Sequence, residues 1–390
     1  MRKAPLLVLA LGCLAPLPLA ALEVRFHPAD TVYSHEVDAG RGLSTVVLQN
    51  VALVQREGGA VTVESLEIDV RAGGQTVQMQ AVPTAALDAS AQQMSALEAA
   101  GVLKLYDFHF QTSRSLGEGI KMAPSRTLAA GTGLLVGGRA LMLAGPADEI
   151  AVIARGKDAA GRPVEAQGTL QVRVHKSPNE YRFPLAGTSY VGAAPSLHSH
   201  HRWAVPQEFA LDLVALGGEG RTHKGNGETL EDFYAYGRDV LAVGDGEVVE
   251  AVGDAVETRD RLRQPGESAE AFLQRTVAEQ NKLLAQGLRA PLGNYVILRH
   301  AGGEFSQYVH LKQGSVRVKA GDTVRRGQVI GQLGQSGNST EPHLHFQVTD
   351  GPDPLYSRGL PVVFQNVAVE GLDLEGPIPL QTGWVVTAKP

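Results

Sequence analysis

The residues best suited to chemistry are two histidines set two apart, His343 and His345, in the run Pro342-His343-Leu344-His345-Phe346. A β-strand repeats every two residues, so both imidazoles leave the same face of one strand. A pair placed in this way can grip one ion, or one ring can bind the ion while the other touches its water. A third histidine, His310, closes an earlier apolar run, Tyr308-Val309-His310-Leu311. Between them lie short β segments broken at Gly321-Asp322, Gly327-Gln328, Gly334 and Gly337-Asn338. Glycine and Asn at such corners supply the positive φ that hairpin turns demand. Two histidines on a strand are, taken alone, as readily an ordinary exposed surface. Their company weighs toward a compact β-sheet carrying a hydrolytic metal centre.

These residues resemble the lysostaphin-type (LytM-like) zinc endopeptidases. The family's Y-A-H-L block has its counterpart in Tyr308-Val309-His310-Leu311, and its glycine-spaced block in Val318, Gly321, Val324, Gly327, Ile330 and Gly331. Its G-x-S-x-G-P-H-L-H-F-E block is matched by Gly337 to Gln347, with Glu341 in place of Gly and Gln347 in place of Glu. Upstream, Arg238 to Val249 and Gly293 to His300 are similar to two further family blocks. Five blocks in the right order make the resemblance specific, and it covers about the last half of the chain.

The resemblance implies one zinc ion per chain, held by a first histidine, an aspartate four residues on, and the second histidine of the H-x-H pair. Asp212 and His345 match the last two. The first position departs from the pattern, because counting back four from Asp212 reaches Glu208. Strand spacing puts Glu208 and Asp212 on one face, so two carboxylates and one histidine form a possible ligand set. The alternative lies in His198-Ser199-His200-His201, from which a loop imidazole can replace the missing ligand. His201 or His200 is preferred, because a neutral imidazole keeps the centre positive and helps depress the bound water's pKa to about 7. His310 and His343 are implied as the catalytic pair, one taking the water's proton and the other steadying the oxyanion. Which does which is left open.

Totals bound the rest. The chain has 390 residues, 43% of them hydrophobic but only 5% aromatic, with 45 glycines and 21 prolines. That balance suits short strands and many turns. A formal charge of −6 argues against a nucleic-acid-binding face. Met1-Arg2-Lys3 and the apolar stretch to Leu19, followed by Ala20-Ala21, read as a secretory signal over residues 1–21. Cys13 is the single cysteine, and lipid anchoring through it is disfavoured because the apolar run continues past it. No later run is long enough to span a membrane.

The expected fold is mostly β. Residues 22–176 read as an immunoglobulin-like β-sandwich, on alternating strands and regular turns. Its one helix is expected from Ser90 to Ala100, and its binding partner is not legible. Residues 180–364 read as the LytM-like antiparallel peptidase domain, with a helical insertion at 268–286 capped by Ser268 and ended by Gly287. That helix is expected to flank the substrate groove or simply to pack. Residues 365–390 read as a C-terminal extension. The function implied is an exported, periplasmic or extracellular zinc metalloendopeptidase acting on peptidoglycan peptides. Its rival is a metal-free relative that binds and activates another cell-wall hydrolase. A lipoyl-type carrier is rejected, since the hairpin after Ile330 presents no lysine.

Overall fold

The computed structural model describes residues 22–390, so the segment read as a secretory signal, Cys13 included, lies outside the described residues. Most of the regular structure is β, as the composition implied. Strands of the first half form three sheets of four, three and six strands around a shared apolar core that includes Val51, Leu53, Ile68 and Val152. Two of the pairings are parallel, Thr132–Gly133 with Lys121–Met122 and Gln171–Arg173 with Thr31–Tyr33. The immunoglobulin comparison rests on the strand pattern alone. The helix expected from Ser90 runs instead over Thr84–Ala99 with Pro83 at its N-cap and no side-chain cap. Proline fixes φ near its helical value and lacks the N–H that a first turn cannot use, so it starts the helix earlier than the Ser90 signal.

The second half is organised by one antiparallel sheet of ten strands. Its middle is Leu344–Thr349, flanked by Phe305–Leu311 on one side and Leu211–Val214 on the other. The sheet continues outward to Thr188–Ala193, Val385–Ala388 and Val367–Val369. The tail 365–390 is therefore continuous with this sheet rather than appended to it. One face buries Tyr308, Leu344, Phe346 and Val348 against Phe183, Val240, Ile330, Leu333 and Phe364. The small pair Asp239–Leu241 and Val329–Gln332 closes over that face. The opposite face carries His345, Gln347 and Thr349, which share a side by the strand's two-residue period.

The insertion helix spans Ala269–Gln286, and Ser268 Oγ accepts from Ala271 N at 3.1 Å as the capping signal implied. Its apolar stripe is only partly covered. Leu283 and Leu284 are buried, whereas Leu273 and Val277 are 63% and 48% exposed.

Candidate metal centre

Three elements bring the site together. Asp212 lies on Leu211–Val214, directly opposite His345 on the next strand, so the two side chains share a face. His343 stands just before that strand and belongs to the same parity. His200 and His201 lie on the short 3₁₀ turn His200–Trp203, eleven residues upstream of Asp212 by His201's position.

His310 is placed by a bulge. Tyr308 is opposite Phe346 and Val309 opposite His345, so regular alternation would send His310 to the core face with Tyr308. On the other edge, Val296 pairs with Tyr308 but Asn294 pairs with Leu311, leaving one extra residue on the histidine strand. His310 takes up the surplus in the left-handed region, with φ 64°. Its ring thereby turns to the site face, 4.8 Å from that of His343 and 6.0 Å from that of His345. Bulges serve this purpose beside functional sites, and a non-glycine residue holding positive φ must be over-determined by its surroundings.

Asp212 receives two imidazoles on separate oxygens. His201 Nε2 lies 2.8 Å from Oδ2, and His345 Nδ1 lies 3.0 Å from Oδ1. His343 Nε2 stands 3.6 Å from Oδ1. Each ring's far nitrogen is held by an amide oxygen, His201 Nδ1 by Gln207 Oε1 at 3.2 Å and His345 Nε2 by Gln347 Oε1 at 3.0 Å. The second contact ends a relay whose direction is fixed. Thr349 donates to the Gly351 backbone oxygen, Gln307 Nε2 donates to Thr349 Oγ1, and Gln347 Nε2 donates to Gln307 Oε1. Gln347 Oε1 is then left to accept from the His345 Nε2–H, and His345 Nδ1 presents a lone pair to Asp212.

The electrostatics fit a cation. A lone pair at 3.0 Å from a carboxylate oxygen is a repulsive contact unless a positive centre lies between them. Burial would raise the Asp212 carboxyl, but the imidazoles of His201, His343 and His345 gathered around it outweigh this and hold it well below the usual carboxylate range. Burial would lower His201, but the charge of Asp212 and the hydrogen bond to it outweigh burial and raise the group. Burial lowers His345 and, with the nearby His343 and His345, holds His310 far down and neutral. His200, His201 and Asp212 offer donor atoms within 4.8 Å of one another, a set able to hold a metal ion. His200 packs at a tilt of 45° against His201 with ring centres 3.9 Å apart, on the exposed side.

Glu208, weighed as an alternative third donor, pairs with Arg202 instead of facing Asp212. This residue lies outside the strand Leu211–Val214, where the two-residue period does not apply, and its carboxylate is buried in the interior. Oε1 accepts from Arg202 Nη1 at 2.6 Å, and both side chains are buried. His201 occupies the place beside Asp212 instead. His310 Nδ1 donates to the Ser336 backbone oxygen at 2.9 Å, and His343 Nδ1 to that of Glu341 at 2.8 Å. Nδ1 is therefore the nitrogen that carries the proton of each ring in its neutral form. His300 is satisfied structurally by Asp245 O and Ser306 Oγ. The supporting partners Gln207, Gln307 and Thr349 carry no motif and were missed in the sequence; Gln347 was visible only as a departure from the family's Glu.

Residues 263–356 match the model described as "Peptidase family M23". That segment contains His310, His343 and His345 but not His201 or Asp212. "Peptidoglycan DD-endopeptidase ShyC" of Vibrio cholerae is 46% identical over 55 residues, 14% of this chain and 12% of that protein. "DD-carboxypeptidase/endopeptidase Mpg" of Neisseria meningitidis is 40% identical over 70 residues, 18% of this chain and 16% of that protein. The matched segment thus spans well under a quarter of either relative. Among solved structures, the catalytic domain of the prophage-encoded M23 protein EnpA from Enterococcus faecalis is similar at 19% identity. It covers 46% of this chain and 92% of that one with a TM-score of 0.25.

Proposed function

We propose, on the premise that residues 263–356 belong to peptidase family M23, that this chain is an exported zinc metalloendopeptidase hydrolysing peptide bonds in peptidoglycan. The observation that carries the reading is the convergence of His201 Nε2 and His345 Nδ1 on the two oxygens of Asp212. Two imidazoles and one carboxylate are the donor set of a hydrolytic zinc site with a position left for water. Zinc, when bound there, supplies Lewis-acid activation of the scissile carbonyl and of the attacking water.

The remaining steps belong to the side chains. Gln207 and Gln347 fix the tautomers of His201 and His345, so both rings turn a lone pair inward. His343 and His310 each anchor Nδ1–H on a backbone oxygen and keep Nε2 free to accept a proton from water. The ring that takes the proton becomes an imidazolium, able to donate to the oxyanion and then to the leaving amine. The relatives' names supply the substrate class, peptidoglycan peptide, and the amino-terminal segment 1–21 supplies the export.

The test is metal content and wall lysis by the mature protein beside Asp212→Ala and His345→Ala. About one zinc per chain is expected in the wild type, with metal and lysis lost together in both variants. Undiminished lysis by either variant sinks the mechanism. A wild-type protein that stays free of zinc yet stimulates a separate hydrolase establishes the activator reading instead.

A further inference from the structure

The turn that carries His201 is built against the first half of the chain. Arg202, next to His201, is completely buried. Its Nη2 donates to the Thr45 backbone oxygen at 3.2 Å, and its own backbone oxygen accepts from Gln49 Nε2 at 3.1 Å. Its guanidinium lies 4.8 Å from the centre of the Phe209 ring, which Tyr33 flanks at 6.4 Å. On the other side of Arg202, the Trp203 indole rests on Gly138 so closely that a Cβ there would fall 2.6 Å from it. The linker between the halves is fastened as well. Glu304 accepts from Ser177, Asn179 and Tyr181 and bonds His175, and Pro178 fills the space a side chain at Gly302 would take.

A single 3₁₀ turn of four residues has little stability of its own, and this one has no side-chain cap. A metal ligand nevertheless has to be held to within about 0.5 Å.

We propose that the first half of the chain is a positioning element of the metal site, with Gln49, Thr45 and Gly138 clamping Arg202 and Trp203 so that His201 faces Asp212. This rests on the zinc reading above. The first half then acts through one ligand, and its removal from Arg202 would leave a site held by Asp212 and His345 alone.

The experiment measures zinc affinity of the full chain by chelator competition, and the visible spectrum of its cobalt(II) form, in Gly138→Val, Gln49→Ala, His201→Ala and the double variant Gly138→Val/His201→Ala. Gly138→Val and Gln49→Ala are expected to weaken zinc binding about 10–100-fold, the size of a lost supporting contact. The cobalt spectrum of Gly138→Val is expected to shift toward that of His201→Ala. The double variant should bind no more weakly than His201→Ala, because without the ligand the clamp has nothing to position. Thermal unfolding of the zinc-free proteins separates plain destabilisation from loss of the ligand. Wild-type affinity in both first-half variants, or simple addition of losses in the double variant, overturns the proposal. If Gly138→Val does not fold, Gln49→Ala, which removes one hydrogen bond, decides it. Wild-type protein that takes up no zinc overturns the zinc reading itself, and is recognised because no variant then differs from it.

Discussion

Asp212 and His345 are direct cross-strand partners whose polar atoms meet at 3.0 Å, with the imidazole's lone pair, not its proton, turned to the carboxylate. The relay through Gln347, Gln307 and Thr349 imposes that orientation. Gln347→Ala should therefore weaken zinc binding about 10–100-fold. Gln347→Glu should keep most of the affinity, since a carboxylate also accepts from His345 Nε2–H. Chelator competition on both variants checks this, and equal losses in the two would refute the relay.

His310 needs the left-handed backbone to reach the site, at φ 64°. Glycine adopts that region freely while alanine does not. His310→Gly should be more stable than His310→Ala by about 1 kcal/mol, the reverse of the usual order inside a strand. Both should lose turnover by about 10²–10⁴-fold as a proton-transfer group is removed. Denaturant titration and wall lysis measure the two effects separately.

The Arg202–Glu208 pair is buried on both sides. Glu208→Ala leaves a guanidinium without its partner in the interior and should cost about 3–5 kcal/mol. Replacing both residues by Met should recover a large part of that loss. Urea unfolding of the single and double variants tests it, and a single variant as stable as wild type would show that the pair is not desolvated as described.

Glu304 governs part of the acid limb. Burial would raise its carboxyl, but hydrogen bonds from His175, Ser177, Tyr181 and Asn179 prevail and hold it down at about 2. A depressed folded-state pKa contributes stability that is present above the unfolded value, near 4.5, and is lost as the pH falls toward 2. Glu304→Gln should be less stable than wild type at pH 7, and the gap should close between about pH 4.5 and pH 2. Melting temperatures across that range are the check; a constant gap would rule out the linkage.

Much of the second half was legible in the residues. The H-x-H pair shares a strand face by period, the Ser268 cap and Gly287 bracket the helix Ala269–Gln286, and glycine corners set the hairpins, all from local rules. Asp212 and His345 were named only through the resemblance to the lysostaphin-type family. Tertiary structure decided the rest, because the deciding contacts join residues far apart in the chain. The place beside Asp212 is filled by the His201 imidazole, while Arg202, buried against Thr45 and Gln49, pairs with Glu208. His310 reached the site only through a bulge that the pairing of two strands creates. Spacing governs which way a side chain leaves its own strand; burial and register with distant neighbours govern what it meets there.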